Sequence, residues 1–297
     1  MIRILSIFVI LFILDCGPKE VLTISGSETM HGMAEYLAKD FEKENSKIRV
    51  EISGGGSMEG IQRLIHHKSD IALSSRELYE DEYETLNKDG NLEKLTIAYD
   101  GVAIVVHPSN SVSQLDAKLI SEIFQGKITN WKSFGGKDEP IKVVMRNDKS
   151  GTLSYFTDHV LKQKNLGIEA YSKNSKSVYA KNAQIVSDNY EMTDVISKFP
   201  NAIGFMGMGS AIVENKGRIK TIRYANTAKD EFVEPSIDNV YNRKYRLSRG
   251  LYMIYRSDRT ERVEEFASFL TGEKGQELIL KRGFLRASLP EVEVKAK

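Results

Sequence analysis

Three short segments concentrate hydroxyls and glycines where a β-type run gives way to a helical one: Ser25-Gly26-Ser27-Glu28-Thr29, Ser53-Gly54-Gly55-Gly56-Ser57 and Arg146-Asn147-Asp148-Lys149-Ser150-Gly151-Thr152. The first amides of a helix have no intrahelical acceptor, and the aligned peptide dipoles add partial positive charge there, so each turn favours an anion. Glycine lets the backbone curl and approach a ligand closely. Arg146 adds a planar donor fork suited to an oxyanion, although an arginine in such a place also serves in surface ion pairs. Any one turn also meets the ordinary needs of helix capping. All three, however, fall at the C-terminal ends of expected strands, the edge at which open α/β sheets bind ligands.

Other chemistries fit these residues poorly. The third turn lacks the Gly-x-x-x-x-Gly-Lys-Ser/Thr spacing of a nucleotide P-loop, and Gly56-Ser57-Met58-Glu59 fails the Gly-x-Ser-x-Gly nucleophile elbow. His66-His67 has no carboxylate or cysteine at ligand spacing and reads as a solvated helix end rather than a metal site. Trp131, Tyr155 and Phe156 are assigned to the core. No catalytic residue, metal or cofactor is expected.

The elements that carry these turns alternate in the α/β manner. Strands are expected at Leu22–Ile24, Ile48–Ile52, Asp70–Leu73, Ile141–Met145, Ala202–Met206, Ile219–Tyr224 and Leu251–Tyr255. Met30, Met33, Ala34, Leu37, Ala38 and Phe41 share one face of a helix, and Leu153, Phe156, Val160 and Leu161 share another. Further helices are expected over Leu115–Phe124, Val186–Phe199, Val263–Leu270 and Gly275–Lys281. The apolar run Leu95–Val106 is interrupted by Tyr99-Asp100-Gly101, which reads as a hinge; the polar stretch Ala225–Arg249 reads as a return linker or surface excursion.

Lys and Arg total 42 and Asp and Glu 41, for a net charge of +1, so there is no basic field to recruit nucleic acid and anion specificity must be local. Arg3 and the apolar run Ile4–Leu14 have the profile of a signal peptide over 1–15; the run is too short for a bilayer of about 30 Å, which needs roughly 20 residues. Cys16 is the single cysteine, which excludes an internal disulfide. Its position after the apolar run resembles a bacterial lipobox, with Asp15 where a small residue is usual. The expectation is a lipidated Cys16 and a short linker over 16–21, attaching an exported protein to a membrane.

Taken in order, Thr23–Ser27, Ser53–Ser57, Asp70–Ala72, Tyr99–Ala103, Ile123–Trp131 and Arg146–Thr152 resemble the PstS family, the phosphate-binding proteins of bacterial phosphate ABC transporters. The similarity spans about residues 22 to 285, and Ile123–Trp131 with Ser150-Gly151-Thr152 is its most specific part. The resemblance implies a type II periplasmic binding protein: two α/β lobes, 22–100 with 248–297 and 101–247, joined by two crossover strands with phosphate in the cleft. It implies ligands at Thr29, Met30, Ser57, Ser75, Arg76, Arg146, Ser150, Gly151 and Thr152, Met30 through its amide alone. Ser75 stands where better-known members carry an aspartate that accepts the proton of phosphate and disfavours sulfate. The acceptor is therefore sought at Asp148, then Glu59 and Glu28, with Asp148 alternatively orienting Arg146 or Arg76. The implied partners are inorganic phosphate and the transmembrane subunits of an ABC importer, for a monomeric receptor that performs no turnover; sulfate or molybdate, and a phosphate-ester enzyme using the same pocket, are the alternatives.

Overall fold

A computed structural model describes residues 19–258 and 261–288. The expected signal segment 1–15 and Cys16 lie outside the described residues. The chain opens with β1 (Glu20–Gly26), α1 (Glu28–Glu44), β2 (Ile48–Gly55), α2 (Ser57–Ile65), β3 (Ile71–Ser74) and α3 (Glu80–Leu86). It then crosses through the long strand β4 (Leu92–Val106) into β5 (Gln114–Asp116), α4 (Ala117–Phe124), β6 (Lys142–Arg146), α5 (Gly151–Phe156) and α6 (Ile168–Lys173). Next come β7 (Gln184–Val186), α7 (Asn189–Lys198), β8 (Ala202–Gly207), β9 (Lys220–Thr221), β10 (Arg223–Ala225) and α8 (Ile237–Tyr241). The return is β11 (Ser248–Arg256), α9 (Glu261–Thr271), α10 (Glu273–Lys281) and β12 (Leu285–Arg286).

One strand order is used twice. In the first lobe the sheet runs β2-β1-β3-β11-β4, with β12 on the far side of β4. In the second it runs β7-β6-β8-β4-β9. In each, the second strand precedes the first and third, and a strand shared with the rest of the molecule lies antiparallel before the fourth. Strand β4 serves both lobes: residues 92–101 pair with β11 and residues 102–106 with β8. From Asp100 to Val106 every side chain is buried, as expected of a strand covered on both faces.

Each lobe has its own core. Leu22, Ile24, Met30, Leu37 and Phe41 pack with Phe266 and Ile279 in the first, which explains the helical spacing of the apolar face of α1. Phe124, Trp131, Phe156, Phe205 and Tyr245 fill the second, with the Phe156 and Phe205 rings stacked at 3.9 Å. Trp131 is core, and its indole donates to the Asn201 carbonyl at 2.9 Å.

Several local expectations need correction. Tyr99-Asp100-Gly101 interrupts the apolar pattern but not the strand: these residues pair with Gly250, Arg249 and Ser248 of β11, and β4 changes partner to β8 at Val102, just past the expected hinge. The stretch 225–249 is not a linker: Val233 pairs with Tyr224, α8 forms, and Tyr245 and Leu247 are fully buried. Leu115 belongs to a short strand, and α4 starts only after Asp116, whose side chain caps it by accepting from the Leu119 amide at 2.8 Å. Val186 likewise ends a strand, with Asp188 capping α7. Tyr155 packs at the edge of the core rather than within it: it is half-buried, and its hydroxyl reaches the crossover to donate to the Ser248 carbonyl at 2.7 Å.

Candidate functional site

The three turns meet. At the end of β1, Gly26 has φ +133°, and a Cβ there would fall 2.2 Å from the Leu73 carbonyl oxygen, so only glycine lets β1 turn this close to β3. Ser27 then stands at the N-cap of α1, yet its hydroxyl caps nothing: it is buried without a hydrogen-bond partner. The N-cap of α2 is Gly56, which has no side chain to cap with. Side-chain capping is thus absent at two of the turns, where the Met30 amide turns back to the Ser27 carbonyl and the Met58 amide reaches the third turn. Only at the third does the N-cap close on its own helix, Ser150 Oγ accepting from the Leu153 amide at 3.2 Å.

Contacts between the turns cross from one lobe to the other. The Thr29 and Thr152 hydroxyls lie 2.8 Å apart. Ser57 Oγ accepts from the Ser75 amide at 3.0 Å and lies 3.3 Å from Ser75 Oγ. A Cβ on Gly151 would fall 2.2 Å from Ser57 Oγ and 2.7 Å from Ser75 Oγ, so the third turn abuts both. The Met58 amide donates to the Lys149 carbonyl at 3.1 Å, and Lys149 reaches Glu59 at 3.0 Å. Met30 points into the first core, leaving its backbone at the turn. Thr29, Ser57, Ser75, Gly151 and Thr152 therefore form one buried cluster, flanked by Ser150 and the Met30 backbone.

Arg146 is buried at the head of the third turn. Its Nη1 donates to Asn189 Oδ1 at 2.9 Å and its Nη2 to the Ser187 carbonyl at 2.7 Å, while Nε has no partner. Burial lowers its pKa to about 10, opposed by Glu28 and Asp188, so it stays cationic near neutrality. Asp148 does not orient it: that side chain is exposed, and Asn189 and the Ser187 carbonyl do the work. Glu59 is occupied by Lys149, and Glu28 accepts the Gly55 amide at 2.5 Å. Arg76 is also turned away from the cluster. Its Nη1 and Nη2 both bond the Glu82 carboxylate at 2.7 Å, because a buried guanidinium pairs with the buried carboxylate in reach.

Two charged residues at the cluster escape the sequence reading. Arg249, on β11, donates through Nη2 to Thr152 Oγ1 at 2.9 Å and to Thr29 Oγ1 at 3.3 Å, and its Nε and Nη1 are buried without partners. Its neighbour in register on β4 is Asp100, whose Oδ2 lies 3.7 Å from Arg249 Nη2 and makes no hydrogen bond. Burial raises the Asp100 pKa to about 6, the nearby Arg249 opposing the shift. The signal was present: an aspartate and an arginine inside apolar strands require each other or a ligand. The local pattern hides it, because Asp100 falls in the expected hinge and Arg249 at the end of the expected linker.

A strand order repeated around two shared crossovers, with uncapped helix ends meeting between the lobes, defines a type II periplasmic binding protein. The chain belongs to the PBP superfamily, whose domain model matches residues 17–274. Among curated relatives, the phosphate-binding protein PstS of Borreliella burgdorferi is 25% identical over 90% of both chains. The PstS of Staphylococcus aureus strain USA300 is 27% identical over 84% of this chain and 74% of its own. Among solved structures, an ABC-type phosphate transport receptor from Vibrio cholerae is 32% identical, with TM-score 0.68, covering 89% of this chain and 99% of its own. A candidate phosphate ABC transporter substrate-binding protein from Clostridium perfringens, solved with bound phosphate, is 29% identical with TM-score 0.77 over 90% of this chain and 99% of its own.

Proposed function

We propose that this chain binds inorganic phosphate outside the cytoplasmic membrane and delivers it, unconverted, to the transmembrane subunits of an ABC importer. The observation that carries the reading is that three buried donors at the cluster, Arg146 Nε and Arg249 Nε and Nη1, have no protein partner, beside two helix starts that no side chain caps. In a dry cleft such donors need an anion, and charge-assisted hydrogen bonds of this kind contribute about 1.5–3 kcal/mol each. The ligand shell in this reading is Thr29, the Met30 amide, Ser57, Ser75, Arg146, Ser150, Gly151 and Thr152, with Arg249 added and Arg76 removed. The relatives named for phosphate binding and transport support the ligand and the partner.

Ser75 leaves the selectivity to another residue. We assign it to Asp100, whose unpartnered Oδ2 can accept the proton of hydrogen phosphate, which sulfate lacks. A receptor for sulfate or molybdate is the second reading, favoured by the hydroxyl at Ser75 if Asp100 serves only to hold Arg249. The lobes close as 22–100 with 248–297 against 101–247, the chain acts as a monomer, and lipid on Cys16 holds it to a membrane after loss of 1–15. Isothermal titration decides the ligand: the wild type should bind one phosphate with a large preference over sulfate, and Asp100→Asn should lose most of that preference. Sulfate bound as tightly as phosphate by the wild type would overturn the assignment.

A further inference from the structure

Beside the buried cluster lies a cavity of about 650 Å³, far larger than any tetrahedral oxyanion. It is walled by both lobes and both crossover strands, and of the residues assigned above to the ligand shell only Arg249 lines it. Arg249 thus forms a partition: Nη2 faces Thr29 and Thr152, while the buried Nε and Nη1 have no protein partner. Lys164, Arg243 and Arg246 line the same cavity.

The charges around this cavity do not cancel. Its acidic residues are Glu77 and Asp158; Glu77 pairs with Lys94 and Asp158 with Lys162, neither of which lines the cavity. Arg76 is neutralised by Glu82. Among the described residues, no carboxylate lies within 4 Å of Lys164, Arg243 or Arg246, although Asp230 and Glu231 share a neighbouring groove with the two arginines. All three cations are exposed to solvent; Lys164 lies 5.9 Å from the centre of the Tyr171 ring, a contact that leaves its charge unneutralised. Arg243 holds its place with φ +55°, a conformation that disfavours side chains other than Gly, Asn or Asp.

We propose that this cavity is an electropositive antechamber, in which Lys164, Arg243 and Arg246 capture an incoming inorganic oxyanion before it passes Arg249 into the cluster. The inference rests on the phosphate-binding reading above and adds a route and a kinetic role. A cleft lined by one sign of charge raises the local anion concentration, and steering of this kind increases association rates by roughly 10- to 1,000-fold at low ionic strength. It acts on the encounter, so it leaves dissociation unchanged.

Stopped-flow association with inorganic phosphate tests this on the full soluble chain. The variant Lys164→Glu/Arg243→Asn/Arg246→Glu changes the charge by −5, and Asn suits the backbone at 243. A control, Lys39→Glu/Lys88→Glu/Lys216→Asn, makes the same change at exposed sites that do not line the cavity. The expected result is an association rate at least tenfold lower for the cavity variant at low salt, converging on wild type near 1 M salt, with dissociation within about twofold and the control near wild type. An unchanged association rate, an effect confined to dissociation, or an equal fall in the control would overturn the antechamber. Failure of the wild type to bind phosphate in equilibrium titration would instead remove the underlying reading.

Discussion

In the proposed site, selectivity turns on Asp100. Its carboxyl is fully buried, and burial outweighs the attraction of Arg249, raising its pKa from 3.8 to about 6. The folded chain therefore holds this proton more tightly than the unfolded chain, so its contribution favours folding at low pH and is lost as pH rises through about 4 to 6. The loss is on the order of 3 kcal/mol across that window. Denaturant unfolding of the ligand-free protein as a function of pH should show this decline, and Asp100→Asn should flatten it; an equal slope in the variant would mean that Asp100 ionises as it does in water. Turn residues such as Thr29, Ser57 and Thr152 were legible from sequence because their types and spacing mark a helix start. Asp100 and Arg249 lie 149 positions apart and become one pair only through the register of β4 with β11.

Helix ends divide into those that cap themselves and those that do not. Asp116 caps α4 with its side chain, whereas Ser27 at the same position of α1 makes no cap. Asp116→Ala should cost about 1 kcal/mol of stability and leave phosphate affinity alone, while Ser27→Ala should change stability by only a few tenths of a kcal/mol. Urea unfolding of both variants checks this, and a loss near 1 kcal/mol from Ser27→Ala would show that its hydroxyl supports the helix after all. At this scale the sequence is informative about where an element starts and silent about which partner its free amides serve. The apolar period of α1 was readable for that reason, and the short strands β5 and β7 were not: each has three residues, too few to show a period, and each takes its pairing from a strand distant in the chain.

For the molecule as a whole, a ligand held by both lobes links their stabilities. Phosphate at a hundred times its Kd should add about 2.7 kcal/mol to the unfolding free energy, and a thermal melt should shift upward in one cooperative step. Two separate transitions in saturating phosphate would show that the anion is held by one lobe alone. The order of strands within each lobe could not be read from local pattern, because β4 serves both halves of the molecule and β11 enters the first sheet from the far end of the chain. What pointed to two lobes in advance was family resemblance, and the repeated sheet order supplies the physical reason.

The position of β11 also governs the timing of folding. It lies between β3 and β4, so the middle of the first sheet is filled by residues 248–256. A chain emerging N-terminus first from a ribosome or a membrane pore presents β1 to β4 long before that strand arrives, and Ile71–Ser74 has no antiparallel neighbour until it does. The second lobe can close on its own residues in the meantime. The first lobe stays open until most of the chain has passed through, a delay compatible with the export proposed above.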